Sequence, residues 1–153
     1  MKALRDSLFI ILLILGIHAG IAFAQERTAV NDRAAAKMLL GTHKLSLQWI
    51  SWDYFGVATV TNRHGLYSVK GAQKGRGSTD FVRIDGKITS VDTKEFKFDG
   101  IITMQISNIN GGQPCERKGE MTFRITGKRK YWRLTEMDNP CDKVTDYVDI
   151  YFR

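Results

Sequence analysis

Apolar and polar side chains alternate along most of the chain after Gly41. The clearest segment runs from Phe96 to Ser107, where the even positions are apolar or small and most odd positions are polar. Residues 120–126 and 147–152 alternate in the same way. A period of two is the pattern of a β-strand that buries one face. The alternation therefore predicts a protein built mostly of strands.

The longest alternating segment contains Asp99–Gly100, a pair that often forms a two-residue hairpin turn. A hairpin there would turn Ile101 and Thr103 toward the face of the phenylalanines. An uninterrupted strand keeps the apolar residues together, so we predict one strand over 95–107 that bends at Gly100. Further strands are predicted over 43–52, 54–62, 66–72, 79–84, 87–92, 119–126, 130–136 and 147–152, with Asp85–Gly86 as a tight turn.

Residues 25–41 carry a different pattern from the rest of the chain. Asn31 can cap a helix, Asp32 suits the first helical turn, and residues 33–40 are rich in alanine. We therefore predict a short helix over 32–40 within this N-terminal segment.

The elements together predict an all-β fold with eight or nine antiparallel strands after one short helix. A sheet of that length must close or fold over to remove its edges. Because the predicted connections are mostly short, we expect a single up-and-down β-barrel domain over residues 42–153. A two-sheet β-sandwich is the alternative.

This plan resembles the lipocalin-like (calycin) barrels. A short helix leads into Gly41-Thr42-His43 and the first strand, serial antiparallel strands follow, and residues 147–153 form a closing strand. The first strand of that family usually carries Gly-x-Trp, and here His43 stands at the third position. The resemblance implies a barrel that can hold a small apolar ligand.

The N-terminus has the pattern of a secretory signal peptide. Lys2 and Arg5 give it a positive start, residues 8–17 are apolar apart from one glycine, and Ala22-Phe23-Ala24 has the small-x-small form of a cleavage site. We predict cleavage after Ala24 and export to the periplasm or the extracellular space, with no transmembrane segment after cleavage.

The two cysteines of the chain both lie in the predicted mature part. In an exported domain, Cys115 and Cys141 most simply form one disulfide. A reactive thiol or a metal pair is the alternative, although CxxC spacing and nearby histidines are lacking. Acidic residues near the second cysteine, Asp138, Asp142 and Asp146, have an irregular spacing for calcium. A solvated acidic loop is the stronger interpretation of these residues.

Removal of Lys2, Arg5 and Asp6 with the signal lowers the formal net charge from +7 to +6. A basic exported domain favours an anionic partner, such as a polysaccharide or a lipid surface, and nucleic acid is not expected. Two basic turns are candidate polyanion sites if they cluster at one end of the barrel. The first contains Lys74 and Arg76, and the second contains Lys128, Arg129 and Lys130.

The sequence predicts no catalytic residues, metal or cofactor. The mature part contains only His43 and His64, and no hydrolase, metalloprotease or phosphate-loop motif occurs. The leading hypothesis is therefore a noncatalytic binding barrel with room for a small apolar ligand. The alternatives are an inhibitor-like surface module for a protein or an anionic polymer, and an enzyme with an unrecognised site.

Candidate ligand contacts of the binding barrel come from two groups of aromatic residues. Phe98 and Trp132 would line the interior. Trp49, Trp52, Tyr54 and Phe55 form a cluster whose mixed parity places some rings at a bend or rim, and the first three are the candidate contacts there. An open apolar interior favours the small ligand, and a filled interior favours a surface partner.

Overall fold

The computed structural model describes residues 26–153, which fold around one closed β-barrel. The predicted signal peptide over residues 1–24 lies outside the described residues. The described part contains α1 (Arg33–Leu39), a short 3-10 turn (Asn110–Gly112) and nine strands. The strands are β1 (Ala29–Val30), β2 (Gly41–Leu47), β3 (Gly56–Arg63), β4 (Leu66–Lys74), β5 (Phe81–Val91), β6 (Glu95–Gln105), β7 (Cys115–Arg124), β8 (Tyr131–Leu134) and β9 (Val148–Tyr151).

Strands β2 to β9 form the barrel, and each pairs with its neighbours in antiparallel fashion. The order is β5-β4-β3-β2-β9-β8-β7-β6, and the pairing of β5 with β6 closes the ring. Strand β1 lies outside the ring and adds to β5 in parallel. The predicted all-β barrel is therefore confirmed, and the β-sandwich alternative is not what forms. Closure leaves no long edge for unwanted pairing between molecules.

The barrel has two different ends. The helix end carries α1, the tight turn between β3 and β4, and the loop between β7 and β8. The disulfide end carries the loops 48–55, 75–80, 106–114 and 135–147. Helix α1 starts where Asp32 accepts a hydrogen bond from the Ala35 amide at 2.8 Å, so the cap is Asp32 and not the predicted Asn31. Its apolar side packs onto the barrel through buried Ala36 and Leu39, in agreement with the predicted short helix.

The predicted strand through Gly100 is confirmed as one continuous strand. Phe98 pairs with Met121 on one side and with Ile88 on the other. The predicted turn at Asp85–Gly86 is wrong, because β5 runs without interruption through it. Gly86 faces Gly100 across the pair, and a Cβ atom on Gly86 would lie 2.5 Å from the Phe98 ring. The glycine serves close packing beneath this ring and not a turn.

Gly100→Val should lower the free energy of unfolding by about 1–3 kcal/mol, because it overpacks this contact. A Cβ atom at Gly100 would lie 2.3 Å from the Asp85 carbonyl oxygen and 2.5 Å from the Phe98 ring. Urea unfolding measures the change, and Ile101→Val at the exposed neighbouring position is the control. Equal stability of Gly100→Val and the wild type would contradict the proposed packing.

Two other strand predictions are wrong at the ends where they meet. The predictions over 43–52 and 54–62 treat the aromatic segment between them as strand, but residues 48–55 form a loop. The Ser51 hydroxyl accepts hydrogen bonds from the amides of Asp53 and Tyr54, at 2.9 and 3.2 Å. Such local side-chain bonds offer the backbone an alternative to strand pairing.

Large side chains fill the barrel interior. Phe96 and Phe123 stack with ring centroids 5.0 Å apart, and Phe96 meets Trp132 edge to face at 5.9 Å. His43 occupies an inward position of β2 near the helix end, with its centroid 5.7 Å from that of Trp132. The inward side chains below 2% exposure include Trp132, Phe96, Phe98, Phe123, Leu45, Leu47, Ile84, Ile88, Ile102, Met104 and Leu134.

Candidate functional site

The two predicted interior contacts, Phe98 and Trp132, belong to the packed core. Phe98 is fully buried and lies edge to face with Phe123 at 6.3 Å. Trp132 is 2% exposed and contacts Phe152 with a centroid distance of 4.6 Å. These rings contact other side chains from several strands, so a filled interior favours function on the outer surface.

A buried ion pair closes the disulfide end of the barrel. Arg117 points inward from β7, and its Nη2 atom donates to the Asp146 carboxylate at 2.5 Å. Asn139 Nδ2 and Trp49 Nε1 also donate to this carboxylate, each at 2.9 Å. Asp146 is fully buried and Arg117 is 8% exposed. The expectation of a solvated acidic loop is therefore wrong for Asp146.

The predicted disulfide is present between Cys115 and Cys141, which are 26 residues apart in sequence. It ties the start of β7 to the loop 135–147. The same loop is ordered by Asn139, whose Oδ1 atom accepts a hydrogen bond from the Cys141 amide at 2.8 Å. The disulfide and the buried ion pair therefore hold one loop across the barrel end. A disulfide of this kind is typical of an oxidising compartment.

The three predicted rim aromatics lie in the loop 48–55 at the disulfide end. Trp49 is 38% exposed and Trp52 is 52% exposed. Tyr54 lies beneath Arg76, with the guanidinium carbon 4.3 Å from the ring centroid. The Tyr54 hydroxyl also accepts a hydrogen bond from the Arg76 amide at 2.9 Å. The structure thus brings Arg76 and this aromatic cluster together at the rim.

The two basic turns lie at opposite ends of the barrel and do not form one collar. Lys74 ends β4 at the disulfide end, close to Arg76. Lys128, Arg129 and Lys130 follow β7 at the helix end. Arg117 adds to neither turn, because its side chain is buried inside the barrel. The two turns therefore do not form one continuous basic surface at either barrel end.

One open cleft combines aromatic rings with cations on the outside of β2, β3 and β9. We call it the aromatic-cationic groove, and its volume is about 460 Å³. Lys44 lies over the Phe55 ring at 5.0 Å, and Phe55 meets Tyr151 edge to face at 5.1 Å. The lining residues are Thr42, His43, Lys44, Phe55, Val57, Lys130, Tyr151, Phe152 and Arg153.

The pairing of distant strands creates this groove. Lys44 and Val57 are cross-strand partners on β2 and β3. The pairing of Leu45 with Ile150 brings β9 against the other side of β2. Of the residues expected to bind a polyanion, the groove contains only Lys130. Phe55 belongs to the aromatic cluster of the sequence, whereas Lys44, Tyr151 and Arg153 are not predicted from the sequence as site residues. The one available signal for Lys44 and Tyr151 is an outward position in an alternating strand.

Three cations of the groove have no acidic side chain as a partner in the described part of the chain. No Asp or Glu side chain lines the groove, and none of Lys44, Lys130 and Arg153 forms an ion pair within residues 26–153. The outer surface of β4 to β7 is different, because most of its charges are paired. The pairs there are Lys70–Asp85, Lys87–Glu26, Lys97–Glu120, Lys118–Glu116 and Arg124–Glu95.

The acidic residue on β9 near the groove is Asp149, which is buried and paired with Arg133. The guanidinium donates two hydrogen bonds to the carboxylate, both at 2.7 Å. Burial raises the pKa of Asp149, and the contact with Arg133 opposes that rise. Burial also raises the pKa of Tyr151 above its ordinary value of 10.0. The Tyr151 hydroxyl is therefore neutral at physiological pH, and the groove keeps its positive charge.

The PM1083 family matches residues 27–152 of the chain. The chain belongs to the PM1083 family. A relative in Pasteurella multocida (strain Pm70), called uncharacterized protein PM1083, is 46% identical over 114 residues. The matched region covers 74% of this chain and 73% of the relative. No solved structure matches. The barrel is compatible with a calycin-like fold. Membership is shown for the PM1083 family.

Within residues 26–153, no helix has the length and apolar character needed to cross a membrane. The same part of the chain contains no group of three or more His, Cys, Asp or Glu side chains placed to hold a metal ion.

Proposed function

We propose that the protein is an exported, noncatalytic binding module that holds an anionic polysaccharide on the aromatic-cationic groove. The observation that carries this proposal is the set of groove cations, Lys44, Lys130 and Arg153, which form no ion pair among the described residues and share the groove with the rings of Phe55 and Tyr151. Export rests on the predicted signal peptide and is consistent with the disulfide.

The chemistry of the groove suits a charged sugar chain. Ammonium and guanidinium groups bind carboxylate, sulfate or phosphate substituents, and ring surfaces contact the apolar faces of sugar units. The groove lies open on the side of the barrel, so a polymer can pass through it without threading its end. A small apolar ligand would instead need space among core residues that contact one another, such as Phe96, Phe123 and Trp132.

The ring geometry favours a polysaccharide over a nucleic acid. Single-stranded nucleic acids are bound on aromatic faces against which bases stack in parallel. Here Phe55 and Tyr151 pack against each other with 69° between their planes, and Lys44 covers the Phe55 ring. These rings offer edges and partial faces, which suit a sugar chain better than a stack of bases.

The test compares two double variants that remove the same charge from different surfaces. Lys44→Gln/Lys130→Gln should weaken binding of alginate, a polyuronate, about tenfold, because two exposed charge contacts together contribute roughly 1–2 kcal/mol. Lys97→Gln/Lys118→Gln, on the charge-paired surface, is the matched control. Isothermal titration of the chain from Gln25 onward measures both affinities, and higher salt should weaken the binding because it screens the charges.

Several outcomes would overturn the proposal. Equal loss in the two double variants would show binding by net charge alone. Tighter binding of single-stranded DNA or of phosphatidylglycerol vesicles than of alginate would identify another class of partner. A native mass spectrum that shows a retained apolar molecule in protein purified from its own host would place the binding site in the barrel interior and not on the groove.

A further inference from the structure

A second open cleft lies beside the aromatic-cationic groove on the same side of the barrel. It occupies the outer faces of β3 and β4 and has a volume of about 440 Å³. Its lining residues are Thr59, Thr61, Arg63, Ser68 and Lys70. We call it the hydroxyl groove, because three of its five lining side chains carry a hydroxyl group.

The two grooves meet at a pair of threonines on neighbouring strands. Thr42 lines the aromatic-cationic groove, Thr59 lines the hydroxyl groove, and the two residues are cross-strand partners in β2 and β3. Side chains of such partners on one face of a sheet lie about 5 Å apart. The two grooves therefore form one strip that crosses β4, β3, β2 and β9.

The hydroxyl groove offers hydrogen bonds where the first groove offers charge and aromatic surface. Thr61 is exposed, whereas Thr59 and Ser68 are half-buried, and Thr61 pairs with Ser68 across the strands. A hydroxyl both donates and accepts, as do the hydroxyl groups of a sugar. Two cations also border the groove. Arg63 forms no ion pair among residues 26–153, and Lys70 lies 3.1 Å from Asp85 in an exposed pair.

We propose that the hydroxyl groove is a second subsite for the same polysaccharide, so that the protein recognises a chain long enough to span both grooves. This inference rests on the proposed function and defines its ligand more closely. Acidic groups of the chain bind at Lys44, Lys130 and Arg153, and sugar hydroxyls further along bind at Thr59, Thr61 and Ser68. A short oligosaccharide fills one groove and loses the contacts of the other.

The experiment measures affinity for alginate oligomers of increasing length, from the dimer to the octamer. The wild type should bind the octamer at least tenfold more tightly than the dimer, since the second subsite adds contacts without a second loss of translational freedom. Thr61→Val/Arg63→Gln should weaken octamer binding about tenfold and leave dimer binding unchanged.

A matched control lies outside the strip, on the neighbouring strands β5 and β6. Arg83 and Thr103 are cross-strand partners on β5 and β6, so Arg83→Gln/Thr103→Val makes the same chemical changes away from the strip. This control should leave the octamer affinity unchanged. Circular dichroism melting confirms that both double variants are folded.

The outcomes separate this inference from the proposed function. If Lys44→Gln/Lys130→Gln weakens binding of every oligomer while Thr61→Val/Arg63→Gln changes nothing, the second subsite is wrong and the first groove stands. Equal affinity of the wild type for dimer and octamer also overturns the second subsite. If neither double variant differs from its control, both proposals fail.

Discussion

Arg117→Ala should lower the free energy of unfolding by about 3–5 kcal/mol, the largest effect expected of any single substitution considered for this chain. The change leaves the Asp146 carboxylate fully buried without its cation. It also removes the hydrogen bond at 2.9 Å that Arg117 donates to the Asp138 carbonyl. Urea unfolding followed by tryptophan fluorescence measures the loss.

Two further variants make this prediction specific to the ion pair. Lys118→Ala, at the next position, removes an exposed cation and should change stability by less than about 1 kcal/mol. Arg117→Met/Asp146→Asn removes both charges and should recover part of the loss, because no unpaired charge is then buried and the new amide oxygen accepts from Trp49. The recovery is incomplete because the new amide nitrogen faces the Asn139 donor. If the double variant is as unstable as Arg117→Ala, an unpaired buried charge is not the cause.

Replacing both cysteines with alanine should lower the free energy of unfolding by about 3–4 kcal/mol without abolishing the barrel. The disulfide closes a loop between residues separated by 26 positions, and removing it enlarges the unfolded ensemble. Alanine is chosen because Cys115 is 3% exposed, and a serine hydroxyl there would be buried. Urea unfolding of the variant and of the oxidised wild type gives the difference.

The barrel should survive this change because its core does not depend on the crosslink. Far-ultraviolet circular dichroism of Cys115→Ala/Cys141→Ala should retain the strand spectrum of the wild type. Peptide mapping without reductant should find Cys115 joined to Cys141 in the exported protein. Two free thiols in that protein, or equal stability of the variant and the wild type, would contradict the role assigned to the disulfide.

Local patterns in the sequence were sufficient for much of the fold. Alternation predicted the continuous strand through Gly100, and the alanine-rich segment predicted α1, because both patterns report which face of a single element is buried. The same reasoning failed at Gly86 and Ser51. At Gly86 the cause is the Phe98 ring of the next strand, which packs against the glycine. At Ser51 the cause is the side-chain hydroxyl, which accepts a hydrogen bond from the backbone of the loop.

Most residues of the candidate site could not be predicted from sequence patterns. A run of consecutive basic residues is visible in the sequence, as in Lys128, Arg129 and Lys130. A single lysine in a strand, such as Lys44, carries no such signal. The rim aromatics could likewise be predicted from the sequence, because they lie close together along the chain. Whether basic turns share an end of the barrel depends on strand order, and here they do not.

The sequence by itself determined the class of fold, the strand faces and the pairing of the only two cysteines. These properties depend on short-range periodicity and on composition, and both can be read along the chain. The tertiary structure alone decided that Lys44 and Tyr151 share a groove, that Arg117 is buried against Asp146, and that the interior is filled. Each of these depends on the register and closure of strands that are far apart in sequence. Alternation does not determine register or closure, because every strand presents the same two faces to any partner strand.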